Sequence, residues 1–171
     1  MEQHVAHAGT ESPPLEADFE AFFSAEYARL CQALLLLIGD RFEAEDVAQE
    51  AMTRVLERWD RVHAMDSPAG YLFRTALNLH RNGVRRLAVR TRRVFAETPA
   101  ADHAPTIDDQ EDVRRALAGL PRNQREALIL VDWLELSTDE AGDVLDLTSN
   151  AVRVRLHRAR ATLRERLGGA R

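Results

Sequence analysis

Residues 137–160 read STDEAGDVLDLTSNAVRVRLHRAR, and this stretch decides the fold. It opens on Ser137-Thr138-Asp139-Glu140, a capping box in which the Ser137 and Glu140 side chains satisfy backbone donors at a helix start. The short helix that follows ends near Leu145. Asp146-Leu147-Thr148 then makes a tight turn, with Asp146 where a left-handed residue is wanted; Asp tolerates that conformation, although Gly is better. Thr148 caps a long last helix that Gly168-Gly169 stops. Two helices joined in this way are a helix-turn-helix. Gly142 is small where the helices approach, and Val144, Leu145, Leu147, Val152 and Leu156 can close the core between them.

Charge indicates what the last helix meets. It carries Arg153, Arg155, Arg158, Arg160, Arg164 and Arg166 against one acid, Glu165. Ser149, Asn150 and Arg153 stand at its N-terminal end, with Val154, His157 and Arg158 within the next turn. Short polar groups there, backed by arginines for guanine and phosphate, suit entry into a DNA major groove. Arginines also complement a helix C-terminus. Charge alone would therefore fit a solvated amphipathic helix, and the turn and capping box favour DNA reading.

Upstream of this motif, Asp108 or Asp109 starts a helix through Val113, Ala116, Leu117 and Leu120, and Pro121 opens another with Ala127, Leu128 and Val131 inward. Residues 95–109 break the helical pattern with Pro99, Pro105, alanines and the acids Glu97, Asp102, Asp108 and Asp109. They read as an acidic flexible linker that reaches at most about 50 Å. The N-terminal half is helical too. Phe19, Phe22, Phe23, Tyr27, Leu30 and Leu34 recur at spacings of three and four until Gly39-Asp40. A second helix over about residues 43–59 turns Val47, Met52, Val55, Leu56 and Trp59 inward and Glu45, Asp46, Gln49 and Glu50 outward. Ser67 and Pro68 start a third, apolar through Tyr71, Leu72, Thr75, Ala76 and Leu79, which runs into Arg81, Arg85, Arg86, Arg90, Arg92 and Arg93. Residues 1–16 are polar and read as a disordered tail. The expected architecture is all-α: the tail, an N-terminal domain over 17–94, the linker over 95–109, and a C-terminal helix-turn-helix domain over 110–171.

Composition narrows the function classes. The chain has 171 residues, a net charge of −5 and a pI near 5.7, which excludes a uniformly basic DNA binder but not a locally basic one. All 23 basic residues are arginines, as a GC-rich coding sequence would give. The single cysteine, Cys31, forms neither an internal disulfide nor a cysteine-rich zinc site. The apolar run over 33–38 is short for a bilayer, and the N-terminus lacks a signal-peptide pattern, so a cytoplasmic protein without membrane insertion is expected. The histidines are scattered, and no Gly-rich phosphate loop, His-Glu-x-x-His or nucleophile elbow is present. No enzymatic activity, cofactor, metal or small-molecule substrate is expected.

Several segments resemble a known family. Leu120-Pro121-Arg122-Asn123-Gln124-Arg125-Glu126-Ala127 resembles the opening of sigma region four, and residues 152–160 are similar to its recognition helix. Residues 43–50, reading EAEDVAQE, resemble the acidic core of region two. Ala69-Gly70-Tyr71-Leu72, Ala76-Leu77-Asn78 and Arg85-Arg86 are similar to its promoter-melting segment. The chain thus resembles a small two-domain sigma factor of the extracytoplasmic-function (ECF) group.

The resemblance implies that Asp46, Gln49 and Glu50 face core RNA polymerase. It implies that Tyr71 and Asn78 sit at the pocket for a base flipped from the melted −10 strand, with Arg85 and Arg86 on phosphates. It places Ser149, Asn150, Arg153, Val154, His157 and Arg158 on the −35 element. It also implies an anti-sigma factor as partner. Several positions depart from the family pattern: Tyr71 stands for Trp, Leu77 for Arg, Asn82 for Asp, Asp146 for Gly, Asn150-Ala151 for Gly-Thr, and Val154 for a small polar residue. Val154 could contact a thymine methyl. The competing reading is a DNA-binding regulator that never engages polymerase; the acidic second helix and basic third helix argue against it.

Overall fold

A computed structural model describes the backbone of residues 15–91 and 108–168, and the side chains of 17–84 and 113–167. The segment expected as a linker lies outside the described residues except at Asp108 and Asp109, where a helix has already begun, and the tail lies outside them up to Leu15. The helices are α1 (Leu15–Ile38), α2 (Arg41–Leu56), α3 (Trp59–Val62), α4 (Pro68–Thr91), α5 (Asp108–Ala118), α6 (Arg122–Leu128), α7 (Thr138–Leu145) and α8 (Ser149–Gly168). A π-helical turn, Ile129–Trp133, continues α6. There is no strand among the described residues, and the all-α expectation holds.

Local chemistry sets most boundaries. Gly39 ends α1 at φ +86, a conformation costly for any residue with a Cβ. Asp40 then caps α2, its carboxylate accepting from the Glu43 amide at 2.8 Å. Ser67 accepts from the Gly70 amide at 3.1 Å at the head of α4. The second helix stops at Leu56, short of the expected Trp59. The chain turns there, so Leu56 is 52% exposed while Trp59, in α3, is buried against Phe19 and Phe22. Val113 and Phe23, also expected inward, are partly exposed. Val113 stands at the mouth of an apolar groove with Trp133 and Leu167, and Phe23 stacks on Tyr27 at 4.8 Å.

α1 covers the helix read between Phe19 and Gly39, and its apolar content extends well beyond the run over 33–38. By length and composition alone, Ala17–Ile38 could cross a membrane. Its apolar face is instead a packing face, with Leu30, Ala33, Leu34 and Leu37 buried against α2 and the C-terminal half.

One apolar core runs through both halves of the chain. Leu30, Leu34 and Leu37 of α1 and Phe73 and Leu77 of α4 meet Ile129 and Leu130 of the π turn and Leu134 just after it. Polar contacts fix this seam. α1 has no basic residue in its last turn, and its orphan carbonyls are reached from the other half. Arg125 donates to the Leu37 carbonyl at 2.8 Å, and Arg114 donates to that of Gly39 at 3.2 Å. Arg29 donates to the Leu134 carbonyl. α4 lies along α7 on the far side of the seam.

Candidate nucleic-acid interface

The helix-turn-helix forms as its sequence requires. Ser137 and Glu140 complete the capping box, with the Glu140 carboxylate accepting from the Ser137 amide at 2.8 Å and the Ser137 hydroxyl accepting from the Glu140 amide at 3.1 Å. These hydrogen bonds, first that of the Ser137 side chain, hold the Glu140 carboxyl below the usual carboxylate range. Asp146 adopts the left-handed conformation at φ 56, and the Leu147 amide donates back to the Gly142 carbonyl at 2.9 Å. A Cβ on Gly142 would lie 2.7 Å from the Leu147 carbonyl oxygen. The glycine therefore makes room first for the turn, with the Ser149 amide at the start of α8 next at 3.6 Å. Thr148 caps α8 through the Ala151 amide at 3.2 Å.

α8 has two distinct sides. Val152, Leu156 and Ala159 are buried, and Asn150, Arg153, Val154, His157 and Arg158 are exposed together on the opposite side. Ser149, the remaining candidate, is half-buried, its hydroxyl 2.8 Å from that of Thr138. It ties α8 to α7 before it can serve a ligand. Arg160 is also committed, to Asp132 in the π turn at 3.0 Å. The arginines left to solvent near the helix start are Arg153 and Arg158.

On α2, Asp46, Gln49 and Glu50 are all exposed. Glu50 pairs with Arg54 at 2.8 Å and Glu45 with Arg41 at 2.8 Å, whereas Asp46 makes no ion pair among the described residues. Exposed pairs one helix turn apart contribute only a few tenths of a kcal/mol and separate readily. Phe42, which the sequence reading did not single out, is 80% exposed one turn before Asp46.

α4 is arranged differently. Tyr71 is half-buried and its hydroxyl accepts from Arg58 at 3.0 Å; Asn78 is exposed. Arg85 and Arg86 lie on the helix, and their side chains are outside the described residues. Two other arginines share the stripe of Tyr71 and Asn78. Arg74 donates to Asp146 at 3.2 Å. Arg81 grips Glu126 through two hydrogen bonds, of 2.7 and 3.3 Å. Glu126 is only 4% exposed and also accepts from Arg122 at 3.0 Å. Beside this cluster, His80 is buried with Nδ1 3.0 Å from Glu43. Burial pushes its imidazole below the ordinary value, against the opposing pull of Glu43. The sequence did hold a signal for Arg74, which stands three residues after Tyr71 and four before Asn78. For Glu126 it held none, because a glutamate four residues after Arg122 looks like an exposed helix pair.

Comparison with known proteins matches the chain in two segments. Residues 22–90 match the family model for sigma-70 region 2, and residues 110–163 match that for sigma-70 region 4. The ECF RNA polymerase sigma factor EcfG of Rhodopseudomonas palustris is 31% identical over 136 residues, covering 74% of this chain and 72% of that protein. The RNA polymerase sigma-E factor of Streptomyces coelicolor is 28% identical over 152 residues, covering 88% and 86%. Among solved structures, RpoE of Bartonella quintana, in complex with the anti-sigma factor NepR, superposes with a TM-score of 0.77 at 24% identity, covering 90% of this chain and 99% of that one.

Proposed function

The chain belongs to the extracytoplasmic-function sigma factors, and from that premise we propose how its surfaces share the work of promoter-specific initiation. Core RNA polymerase docks on the acidic face of α2 through Asp46, Gln49 and Glu50, an exposed row suited to a basic partner. α8 reads the −35 element as duplex through Asn150, Arg153, Val154, His157 and Arg158. α4 captures the melted −10 strand, with Tyr71 stacking on a base, Asn78 meeting a base edge, and Arg85 and Arg86 on phosphates. Ser149 positions α8 rather than touching DNA, because its hydroxyl is engaged by Thr138.

The observation that carries this reading is the two-sided α8, buried along Val152, Leu156 and Ala159 and open along the polar and arginine-bearing side. The work assigned here is binding, with no catalytic step, and it takes place in the cytoplasm beside the polymerase. An anti-sigma factor is a further partner, as the sigma factor of Bartonella quintana has one in NepR.

The polymerase assignment is tested by Asp46→Arg combined with Glu50→Arg. Both positions are exposed and one helix turn apart, so the fold should survive. Co-purification with core polymerase and run-off transcription are expected to be lost while helicity by circular dichroism stays normal. A variant that still binds core polymerase at the wild-type level would overturn the assignment.

A further inference from the structure

We infer that Asn150 and Val154 are the specificity-determining pair of α8, selecting an adenine and a thymine methyl that lie within about two base pairs of each other in the −35 element. The inference rests on the reading of α8 as the helix that enters the −35 major groove. Val152, Leu156 and Ala159 define its buried side. At about 100° per residue, Asn150 and Val154 fall within about 30° of the line directly opposite that side. Arg153 and His157 lie to one side of this line and Arg158 to the other. The crest of the helix, the part that goes deepest into a groove, thus carries one amide and one branched alkyl group, with cations on both shoulders.

Val154 is 42% exposed, and helix stability does not call for it. A β-branched residue is a weaker helix former than the alanine, arginine and leucine that make up most of α8. What valine offers on the crest is a rigid apolar surface. β-Branching leaves one strongly preferred χ1 in a helix, so both methyl groups are presented with little rotamer freedom to lose. Only thymine has an apolar group on its major-groove edge. Against the other three bases, valine would strip water from a donor or acceptor and return no hydrogen bond. It therefore favours thymine both by contact and by penalising the alternatives.

Asn150 stands one turn nearer the helix start, exposed on the same crest. Ser149 beside it is engaged by Thr138, whereas the Asn150 side chain has no partner among the described residues. A carboxamide both donates and accepts, which matches the amino group and ring-nitrogen acceptor of adenine in a bidentate pair. Four residues of helix rise about 6 Å against about 3.4 Å per base pair, so the two contacts fall on neighbouring or next-neighbouring pairs. The arginines on the shoulders suit guanine and phosphate, neither of which carries a methyl group.

The test begins with holoenzyme assembled from core polymerase and the full chain. It is offered a pool of random-sequence duplexes, and the upstream element shared by the bound ones is resynthesised. Each thymine in turn is replaced by deoxyuridine, which lacks only the methyl group, and each adenine by 7-deazaadenine, which lacks the ring-nitrogen acceptor. At one thymine the change should weaken binding about three- to tenfold, the usual worth of a methyl group removed from contact. Val154→Ser should bind the thymine and deoxyuridine duplexes equally, which separates a contact from any effect of the methyl on DNA shape. An adenine within about two base pairs should respond to 7-deazaadenine in the wild type and not in Asn150→Ala. Both side chains are exposed, so neither substitution disturbs the core. If no thymine responds to loss of its methyl, or if Val154→Ser responds as the wild type does, the role of Val154 is overturned. An adenine response that survives Asn150→Ala overturns that of Asn150. The underlying reading of α8 fails differently: holoenzyme would select no upstream element, or Arg153→Ala combined with Arg158→Ala would bind the selected duplex at the wild-type level.

Discussion

α8 lays Asn150, Arg153, Val154, His157 and Arg158 open to solvent, whereas α4 shares its corresponding stripe with the other half of the molecule through Arg74 and Arg81. Both helices rest on a buried side, but only α8 has its polar side bare. The difference follows the state of the DNA each is expected to meet. A duplex is present before any polymerase arrives, so the surface that reads it can be complete in the free chain. A melted strand exists only inside the polymerase complex, and in the free chain Arg74 and Arg81 on the proposed strand-facing stripe are paired with carboxylates of the other half.

The sharpest way to break this comparison is to attack the seam beside α4. Leu134 is 2% exposed and packs between α1 and α4. Leu134→Ala should cost about 2–5 kcal/mol. Because one core serves both halves, the loss should appear in both at once. Trp59 reports on the N-terminal half and Trp133 on the C-terminal half, and single-tryptophan variants should show coincident thermal transitions. Two separate transitions in the otherwise unaltered chain would mean that the halves fold independently and the seam is incidental.

A smaller effect tests the bare side of α8. Arg153→Ala and Arg158→Ala should each relax preference at particular −35 base pairs by about 1–3 kcal/mol. Arg164→Ala, farther along the helix, should weaken all sequences alike or do little. Gel shifts against a panel of single-base variants across a salt series would separate the two behaviours, since phosphate contacts appear in the salt slope. Equal losses for Arg153→Ala and Arg164→Ala on every sequence would remove the base-reading assignment.

The mildest perturbation is acid. His80 is buried beside the seam, facing Glu43 on α2 and near Arg122 and Glu126 of α6, and burial lowers its folded pKa below the ordinary 6.5. Its contribution to stability is complete above that value. As pH falls through 6.5 the unfolded chain takes up the proton first and stability declines, levelling off below the folded pKa. Denaturant melts between pH 7.5 and 5.5 should show this slope, and His80→Gln should flatten it. An identical slope in the variant would assign the pH dependence elsewhere.

What the sequence disclosed about these regions was mostly local. The capping box at Ser137, the left-handed Asp146, the break at Gly39 and the cap at Ser67 each depend on neighbours within four residues, and each stands in the structure as read. The π turn after α6 was hidden because its widened hydrogen bonding follows from packing: the Leu134 amide reaches back to the Ile129 carbonyl while Leu130 and Leu134 seat against α1 and α4. Leu56 was misplaced because periodicity does not show where a helix will stop. Among the site residues, Asn150, Arg153, Val154, His157 and Arg158 could be grouped by helix spacing alone. The engagement of Ser149 by Thr138 could not, nor could the seizure of Arg81 by a glutamate 45 positions away.

The seam has a consequence for the lifetime of the free protein. Leu30, Leu34 and Leu37 meet Phe73, Leu77, Leu130 and Leu134 there, and parting the halves wets all of them together. A chain that opened without polymerase would display a broad greasy surface, the kind that chaperones hold and proteases clear. The contact therefore keeps the apolar faces of both halves dry together, and a substitution that loosened it would be expected to shrink the cellular pool of the protein.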